Sequence, residues 1–139
     1  MVPGQFSVLR RLVNPRRYYD RNYLKQVAPE LYGGSLRGAP NLIDDHVNNI
    51  SSPDSLGYIY QLLAIWGWTS LPWLHQLRPR TLIMAGTDDP IVPLLNARIL
   101  KYLIPQAQLV TFDDGHLFLT TSAHKVAPIV RQFLTDNMT

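Results

Sequence analysis

The most constraining feature of this sequence is a strand–helix–strand–helix pattern in its second half. Thr81–Ala85 and Leu109–Phe112 are short apolar runs bounded by proline, glycine or acidic loops, as is typical of buried strands in a parallel sheet. Pro93 opens a connecting segment whose apolar residues recur at helical spacing, and a second such segment follows the second run. The pattern predicts a right-handed parallel βαβ unit within an α/β fold.

Two parallel strands are too few to form a domain by themselves. A parallel sheet is normally covered on both faces and contains more strands. We therefore expect residues 76–139 to be the last part of a larger α/β sheet whose earlier strands lie outside this chain. Such a sheet would expose a strand edge, and an exposed edge favours self-association.

The first half of the chain has a different pattern. Residues 1–75 show no strand period and are divided by glycine and proline, for example at Gly33-Gly34. Two helices are predicted there, one near Tyr18–Ala28 and one over Ser55–Trp66, with Asp54 as a candidate N-cap. This half is therefore expected to be helical and separate in character from residues 76–139.

Composition excludes several classes of function. The chain has no cysteine, which rules out disulfides, thiolate metal sites and a cysteine nucleophile, and fits a reducing cytoplasm. No apolar run is long enough to predict a transmembrane helix, and the first residues do not have the pattern of a secretory signal. The net charge is +3, and the basic residues concentrate in residues 1–37 without a basic–aromatic recognition motif. We expect a solvated basic face and no nucleic-acid partner.

Two residues could carry chemistry at the edge of the predicted sheet. Asp89 and His116 each follow the last residue of a predicted strand by four positions. The carboxyl ends of parallel strands share one edge, where open α/β sheets bind ligands. There an aspartate can accept the Nδ1 proton of a histidine and stabilise the imidazolium that forms when Nε2 takes a proton. On spacing alone the signal is weak, because single aspartates and histidines in loops are more often solvated or helix-capping residues.

The sequence has no nucleophile motif to complete such a pair. A Gly-x-Ser-x-Gly turn is absent, and the nearest similar segment, Gly33–Gly38, is one residue too long. Ser35 in that segment is interpreted as an ordinary loop serine.

Several motifs together resemble a known family. Leu82–Pro93 and Asp114-Gly115-His116 look like the closing stretch of α/β-hydrolases. The finer likeness is to the intracellular poly(3-hydroxyalkanoate) depolymerases, and it covers nearly the whole chain but only the second half of such an enzyme. The segments that carry it are Pro15–Tyr18, Leu31–Ser35, Gly67–Ser70, Trp73–His75 and Asp113–Leu119.

The resemblance implies a partial α/β-hydrolase fold. Residues 1–75 would be a helical cap, and residues 76–139 would hold the last two parallel strands and helices of the core sheet. Asp89 would be the triad acid, with Asp88 as the competing acid, and His116 the triad base. The family's nucleophile and oxyanion loop would lie upstream of this chain, in a missing N-terminal half that would be its partner.

The implied function is that of the C-terminal portion of a serine ester hydrolase acting on a polyester or a medium-chain acyl ester. We expect no metal and no cofactor, a cytoplasmic location at polyhydroxyalkanoate granules, and no activity of this chain alone. The cap aromatics Trp66, Trp68 and Trp73, with two tyrosines, could wall an apolar substrate cleft or form the core of the cap.

Two alternatives remain open. The basic, aromatic-bearing cap could be a non-catalytic module that binds polyester granules or a lipid surface. The chain could also be part of another capped hydrolase, such as an esterase, a lactonase or a cofactor-free haloperoxidase, because one fold serves many activities.

Overall fold

The computed structural model describes residues 2–49, 55–65 and 67–136 of the chain. The residues up to Gln76, here called the helical half, contain five α-helices and two 3₁₀ helices within the described part. The α-helices are α1 (Phe6–Leu12), α2 (Arg16–Tyr19), α3 (Arg21–Tyr32), α4 (Pro40–Asn49) and α5 (Ser55–Ile65), and the 3₁₀ helices are Gly34–Arg37 and Leu71–Gln76.

The residues after Gln76 alternate strands and helices as predicted. Two strands are followed by helices, and the last two helices are almost continuous. The elements are β1 (Thr81–Gly86), α6 (Leu94–Leu103), β2 (Ala107–Phe112), α7 (Phe118–Thr121) and α8 (Ala123–Thr135).

The two strands form a parallel pair, which confirms the α/β pattern. Their register runs from Thr81 opposite Ala107 to Gly86 opposite Phe112, so both strands end at the same level. The backbone N–H of Thr87 donates to the carbonyl of Phe112 at 2.8 Å and extends the pairing one residue further. The loops that carry Asp89 and His116 therefore leave the sheet side by side.

Helix α3 is the centre of the helical half. Asp20 caps its first turn by accepting the backbone N–H of Tyr23 at 2.9 Å, and the helix ends at Gly33, where φ is +69°. The prediction of one helix near Tyr18–Ala28 was wrong at both ends, because Asp20 separates α2 from α3 and α3 continues to Tyr32. The buried face of α3 has helical spacing and consists of Leu24, Val27, Ala28, Leu31 and Tyr32.

The largest buried cluster joins the two halves of the chain. Its core is formed by α3 together with residues of α1, α4 and the first 3₁₀ helix. Ile91 and Leu117, from the loops after β1 and β2, pack against the same cluster. The helical half is thus held directly against the sheet edge at which the two loops emerge.

Two further clusters cover the strands. One lies between β1, β2 and α6, and the other between β2 and the last two helices. No helix among the described residues is long and apolar enough to cross a membrane. The predicted helix over Ser55–Trp66 is observed as α5, ending at Ile65, while Asp54 and Trp66 lie outside the described residues.

Candidate active site

The structure brings Asp89 and His116 into direct contact. The Nδ1 atom of His116 lies 2.8 Å from Oδ2 of Asp89, which is hydrogen-bond distance. The side chain of Asp89 is 8% exposed and that of His116 35% exposed. When Nδ1–H donates to the carboxylate, Nε2 of the neutral ring is left as an acceptor, which is the arrangement required of a general base.

The carboxylate of Asp89 is held in place by its own loop. Its second oxygen, Oδ1, accepts the backbone N–H groups of Ile91 and Val92, each at 2.9 Å. Such a turn closed by an aspartate side chain is a common way to fix a loop. One oxygen therefore orients the carboxylate and the other is left for His116.

Asp88, the competing acid, has a different role. Its Oδ2 accepts the backbone N–H of Gly34 at 2.8 Å and pairs with the guanidinium of Arg37. Both partners belong to the helical half. The geometry thus assigns Asp89 to His116 and makes Asp88 a link between the loop after β1 and the first 3₁₀ helix.

The backbone at His116 is clamped by the end of α3. The N–H of His116 donates to the carbonyl of Tyr32 at 2.7 Å, and the Tyr32 and His116 rings lie nearly parallel with their centroids 6.5 Å apart.

The histidine loop also approaches the backbone of Gly34 closely. A Cβ on Gly34 would come within 1.9 Å of the backbone nitrogen of Gly115, and φ at Gly34 is +54°. A glycine is required there because only its bare backbone can approach the histidine loop so closely.

Asp114 also belongs to this site, although no role was predicted for it from the sequence. It is 2% exposed, and its carboxylate accepts hydrogen bonds from the backbone N–H groups of Ser35 and Gly115 and from the hydroxyls of Thr121 and Ser122. Burial acts to raise its pKa, but these four hydrogen bonds outweigh burial and hold the pKa well below the ordinary value of 3.8. The sequence feature that could have indicated this role is an aspartate two positions before His116. Spacing alone does not distinguish Asp114 from its neighbour Asp113.

Tyr32 connects the site to the interior of the helical half. Burial raises the pKa of its hydroxyl, and the charge of Arg17 opposes that shift. The ring of Tyr32 also meets His46 edge-on, with centroids 4.8 Å apart. Burial, followed by the charge of Arg17, lowers the pKa of His46, so its neutral form is favoured and it packs as an aromatic ring.

Two of the three tryptophans that were predicted to line a substrate cleft lie within the described residues. Trp68 and Trp73 are 72% and 59% exposed, which is inconsistent with burial in a cap core, and Trp66 lies outside the described residues. Of the two tyrosines considered with them, Tyr60 is exposed, whereas Tyr58 is buried and donates to the carbonyl of Leu12 at 3.1 Å. Contact of the tryptophans with substrate stays a prediction.

A cavity of about 230 Å³ lies beside the histidine loop. It is lined by Leu36, Leu42, Asp45, His46, Asn49, Leu117, Thr120 and Thr121. Two larger surface hollows run along α8 and include neither Asp89 nor His116. Within residues 2–49, 55–65 and 67–136, no group of three or more His, Cys, Asp or Glu side chains could hold a metal ion.

Comparison with known proteins gives the family. The model of the α/β hydrolase fold matches residues 14–123, and the chain belongs to that family. It is 48% identical over 134 residues to a poly(3-hydroxyalkanoate) depolymerase of Ectopseudomonas oleovorans, covering 96% of this chain and 47% of the relative. The chain thus spans about half the length of the curated relative it matches.

Solved structures share the fold. A thermophilic esterase from Thermogutta terrifontis is 25% identical with a TM-score of 0.72, covering 96% of this chain and 52% of that one. An enol-lactonase from Burkholderia xenovorans LB400 is 21% identical with a TM-score of 0.71, covering 87% of this chain and 48% of that one. The expected partial α/β-hydrolase fold is confirmed.

Proposed function

We propose that this chain supplies the acid and the base of a serine ester hydrolase whose nucleophile lies on a segment not contained in it. The observation that carries the proposal is the Nδ1–Oδ2 distance of 2.8 Å between His116 and Asp89 at the common end of two parallel strands. The 48% identity to a poly(3-hydroxyalkanoate) depolymerase supports a polyester or medium-chain acyl ester as the substrate.

The chemistry follows from the geometry of the pair. Nε2 of His116 would take the proton of a serine hydroxyl as that oxygen attacks the ester carbonyl, and Asp89 would stabilise the resulting imidazolium. The proton would then pass to the leaving alcohol. His116 would next activate a water molecule that releases the acyl group from the serine. None of these steps requires a metal ion or a cofactor.

A chain without the nucleophile should not turn over esters. Loss of a catalytic serine costs several orders of magnitude in rate, and loss of the oxyanion donors adds to the deficit. We expect no saturable hydrolysis of p-nitrophenyl octanoate by the purified chain. Saturable hydrolysis that is abolished by His116→Ala would contradict this, and Ser35→Ala would then test the serine of the segment that is most similar to a nucleophile motif.

A chimeric enzyme tests the proposal directly. In it, this chain replaces the matching segment of the Ectopseudomonas oleovorans depolymerase, and hydrolysis of p-nitrophenyl octanoate is measured. We expect activity that His116→Ala reduces by at least about 10³-fold. A folded, active chimera in which His116→Ala has no effect would refute the assignment.

A second function is favoured by the surface of α5. Leu56, Ile59, Tyr60 and Leu63 follow helical spacing and are all exposed, and no charged residue occurs in Ser55–Ile65. An exposed, contiguous apolar face on a folded protein is typical of a site that binds another protein, a lipid surface or an apolar ligand. We infer that α5 binds the polyester granule, which would place the protein at granules in the cytoplasm.

Sedimentation with polyester granules tests this second function. Replacing Ile59 and Leu63 with lysine should release the chain from the granules, whereas Leu134→Lys, at an exposed leucine of α8, should not. Equal binding of both variants would exclude α5 as the binding surface. Binding that is lost with α5 and kept in Asp89→Asn would show that granule binding is independent of the catalytic pair.

A further inference from the structure

Asp114 is the most deeply buried charged side chain near the candidate site, and the proposed chemistry does not use it. It is 2% exposed and stands two residues before His116. A buried carboxylate is costly unless it is fully hydrogen-bonded. Its two oxygens receive four hydrogen bonds, two from backbone N–H groups and two from hydroxyls, so the requirement is met.

The four donors come from three parts of the chain. Oδ1 accepts the N–H of Ser35, in the first 3₁₀ helix, at 2.9 Å, and the N–H of Gly115 at 2.8 Å. Oδ2 accepts the hydroxyl of Ser122, which precedes α8, at 2.7 Å and that of Thr121, at the end of α7. One carboxylate therefore ties the helical half to both elements that follow the histidine loop.

The backbone of Asp114 extends the same network to the acid. Its carbonyl accepts the N–H of Asp88 at 3.0 Å, one residue before Asp89. On the other side, the N–H of His116 is held by the carbonyl of Tyr32 at 2.7 Å. The loops that carry the acid and the base are thus joined at Asp114, independently of the contact between their side chains.

We propose that Asp114 is a positioning residue of the active site. Its carboxylate fixes the backbone of residues 114–116 so that Nδ1 of His116 meets Oδ2 of Asp89. The catalytic meaning of this role rests on the proposed function, but the positioning itself is a property of this chain.

The physical reason is the strength and number of these bonds. Hydrogen bonds to a charged acceptor are shorter and stronger than those between neutral groups. Hydrogen bonding that holds the pKa of Asp114 low keeps the carboxylate ionised, which is the form that accepts at both oxygens. A displacement of about 1 Å in a catalytic group can cost about 100-fold in rate, so a fixed backbone matters for His116.

Nuclear magnetic resonance of the whole 139-residue chain, labelled with ¹⁵N-histidine, tests the proposal. The wild-type chain should show the Nδ1–H tautomer of His116 and a downfield Nδ1–H proton signal. Asp114→Asn, which keeps the size of the side chain and removes its charge, should lose this proton signal and shift the ring nitrogens towards a mixture of tautomers. Asp113→Asn is the matched control, because Asp113 is adjacent and exposed, and it should retain both wild-type features.

Ser122→Ala keeps the test decisive if Asp114→Asn does not fold. It removes one donor and leaves the carboxylate charged, and it should weaken the Nδ1–H signal at an unchanged far-ultraviolet circular dichroism spectrum. A wild-type signal in folded Asp114→Asn overturns the proposal. If Asp114→Asn is unfolded, a wild-type Nδ1–H signal of His116 in Ser122→Ala overturns the proposal.

Kinetics separate this proposal from the proposed function. In the chimeric enzyme, Asp114→Asn should lower kcat at least tenfold with KM changed less than twofold, as expected of a misplaced base. If His116→Ala abolishes activity and Asp114→Asn does not lower kcat, only the positioning role fails. If the chimera folds and His116→Ala leaves its activity unchanged, the proposed function fails. The magnetic resonance result then still decides the positioning role of Asp114.

Discussion

Nδ1 of His116 lies 2.8 Å from Oδ2 of Asp89, although the two residues are 27 positions apart and belong to loops that follow different strands. The contact selects Asp89 over Asp88, whose side chain is turned towards Gly34 and Arg37. Two adjacent aspartates of the same loop are therefore predicted to differ sharply in their effect on activity.

Asp89→Asn should reduce kcat of the chimeric enzyme by about 10³- to 10⁴-fold. Oδ1 accepts two backbone N–H groups, so the amide oxygen of an asparagine would stay in that position and its NH₂ group would face Nδ1. His116 would then carry its proton on Nε2 and could not act as a base.

Asp88→Asn is the control for this prediction. It weakens a half-exposed ion pair with Arg37, and such pairs contribute about 1 kcal/mol or less. We expect less than a tenfold loss of kcat. Equal losses in the two variants would contradict the assignment of the acid.

Gly34→Ala should destabilise the chain by roughly 2–4 kcal/mol, because a Cβ there meets the backbone of the histidine loop and φ is positive. Gly38→Ala is the matched control. No atom lies within 4 Å of a Cβ at Gly38, and φ is −117°. Urea unfolding of both variants measures the difference, and similar stabilities would show that the close approach at Gly34 is not a constraint.

Acid should destabilise the chain through Asp114. Its pKa in the folded chain lies below the ordinary value of 3.8, so its contribution to stability is present above that pH and is lost as the pH falls further. The free energy of unfolding should decline below about pH 4, with a slope of at most about 1.4 kcal/mol per pH unit from this group.

Asp114→Asn should reduce this decline of the free energy of unfolding at acid pH, while Asp113→Asn should leave the decline unchanged. The lowered pKa of Asp20, which reflects the backbone N–H of Tyr23 and the Arg16 side chain, acts equally in all three proteins. Urea unfolding between about pH 3 and pH 6 provides the comparison. An identical acid dependence of the wild type and Asp114→Asn would argue against a lowered pKa in the folded state.

Asn96→Ala should cost about 1–3 kcal/mol of stability. Asn96 is buried in α6, accepts the N–H of Val2 and donates to its carbonyl, each at 2.7 Å, so it fastens the first residues of the chain. Asn48→Ala, at an exposed position, should change stability by less than about 0.5 kcal/mol. Thermal unfolding distinguishes them, and an unchanged melting temperature for Asn96→Ala would mean that these two bonds do not stabilise the fold.

The sequence was most informative where structure is local. The apolar runs of both strands and the apolar spacing of α6 and α8 reflect burial of their own residues, so the existence of these elements was predicted. The predicted bounds of β1 are within one residue of those observed, whereas β2 begins two residues before the predicted run. The break between α2 and α3 was not predicted, because Asp20 caps a helix through a single hydrogen bond and leaves no periodic signal.

The amino-acid sequence by itself determined the parallel strand pair and the emergence of an acid and an imidazole at the same edge, since a repeated strand–helix pattern permits little else. Only the tertiary structure decided which aspartate meets His116 and why Gly34 and Asp114 matter. The first answer depends on a hydrogen bond between residues 27 positions apart, and the second depends on hydrogen bonds across 54 and 79 residues between the helical half and the loops after the strands. No local pattern encodes contacts of that range.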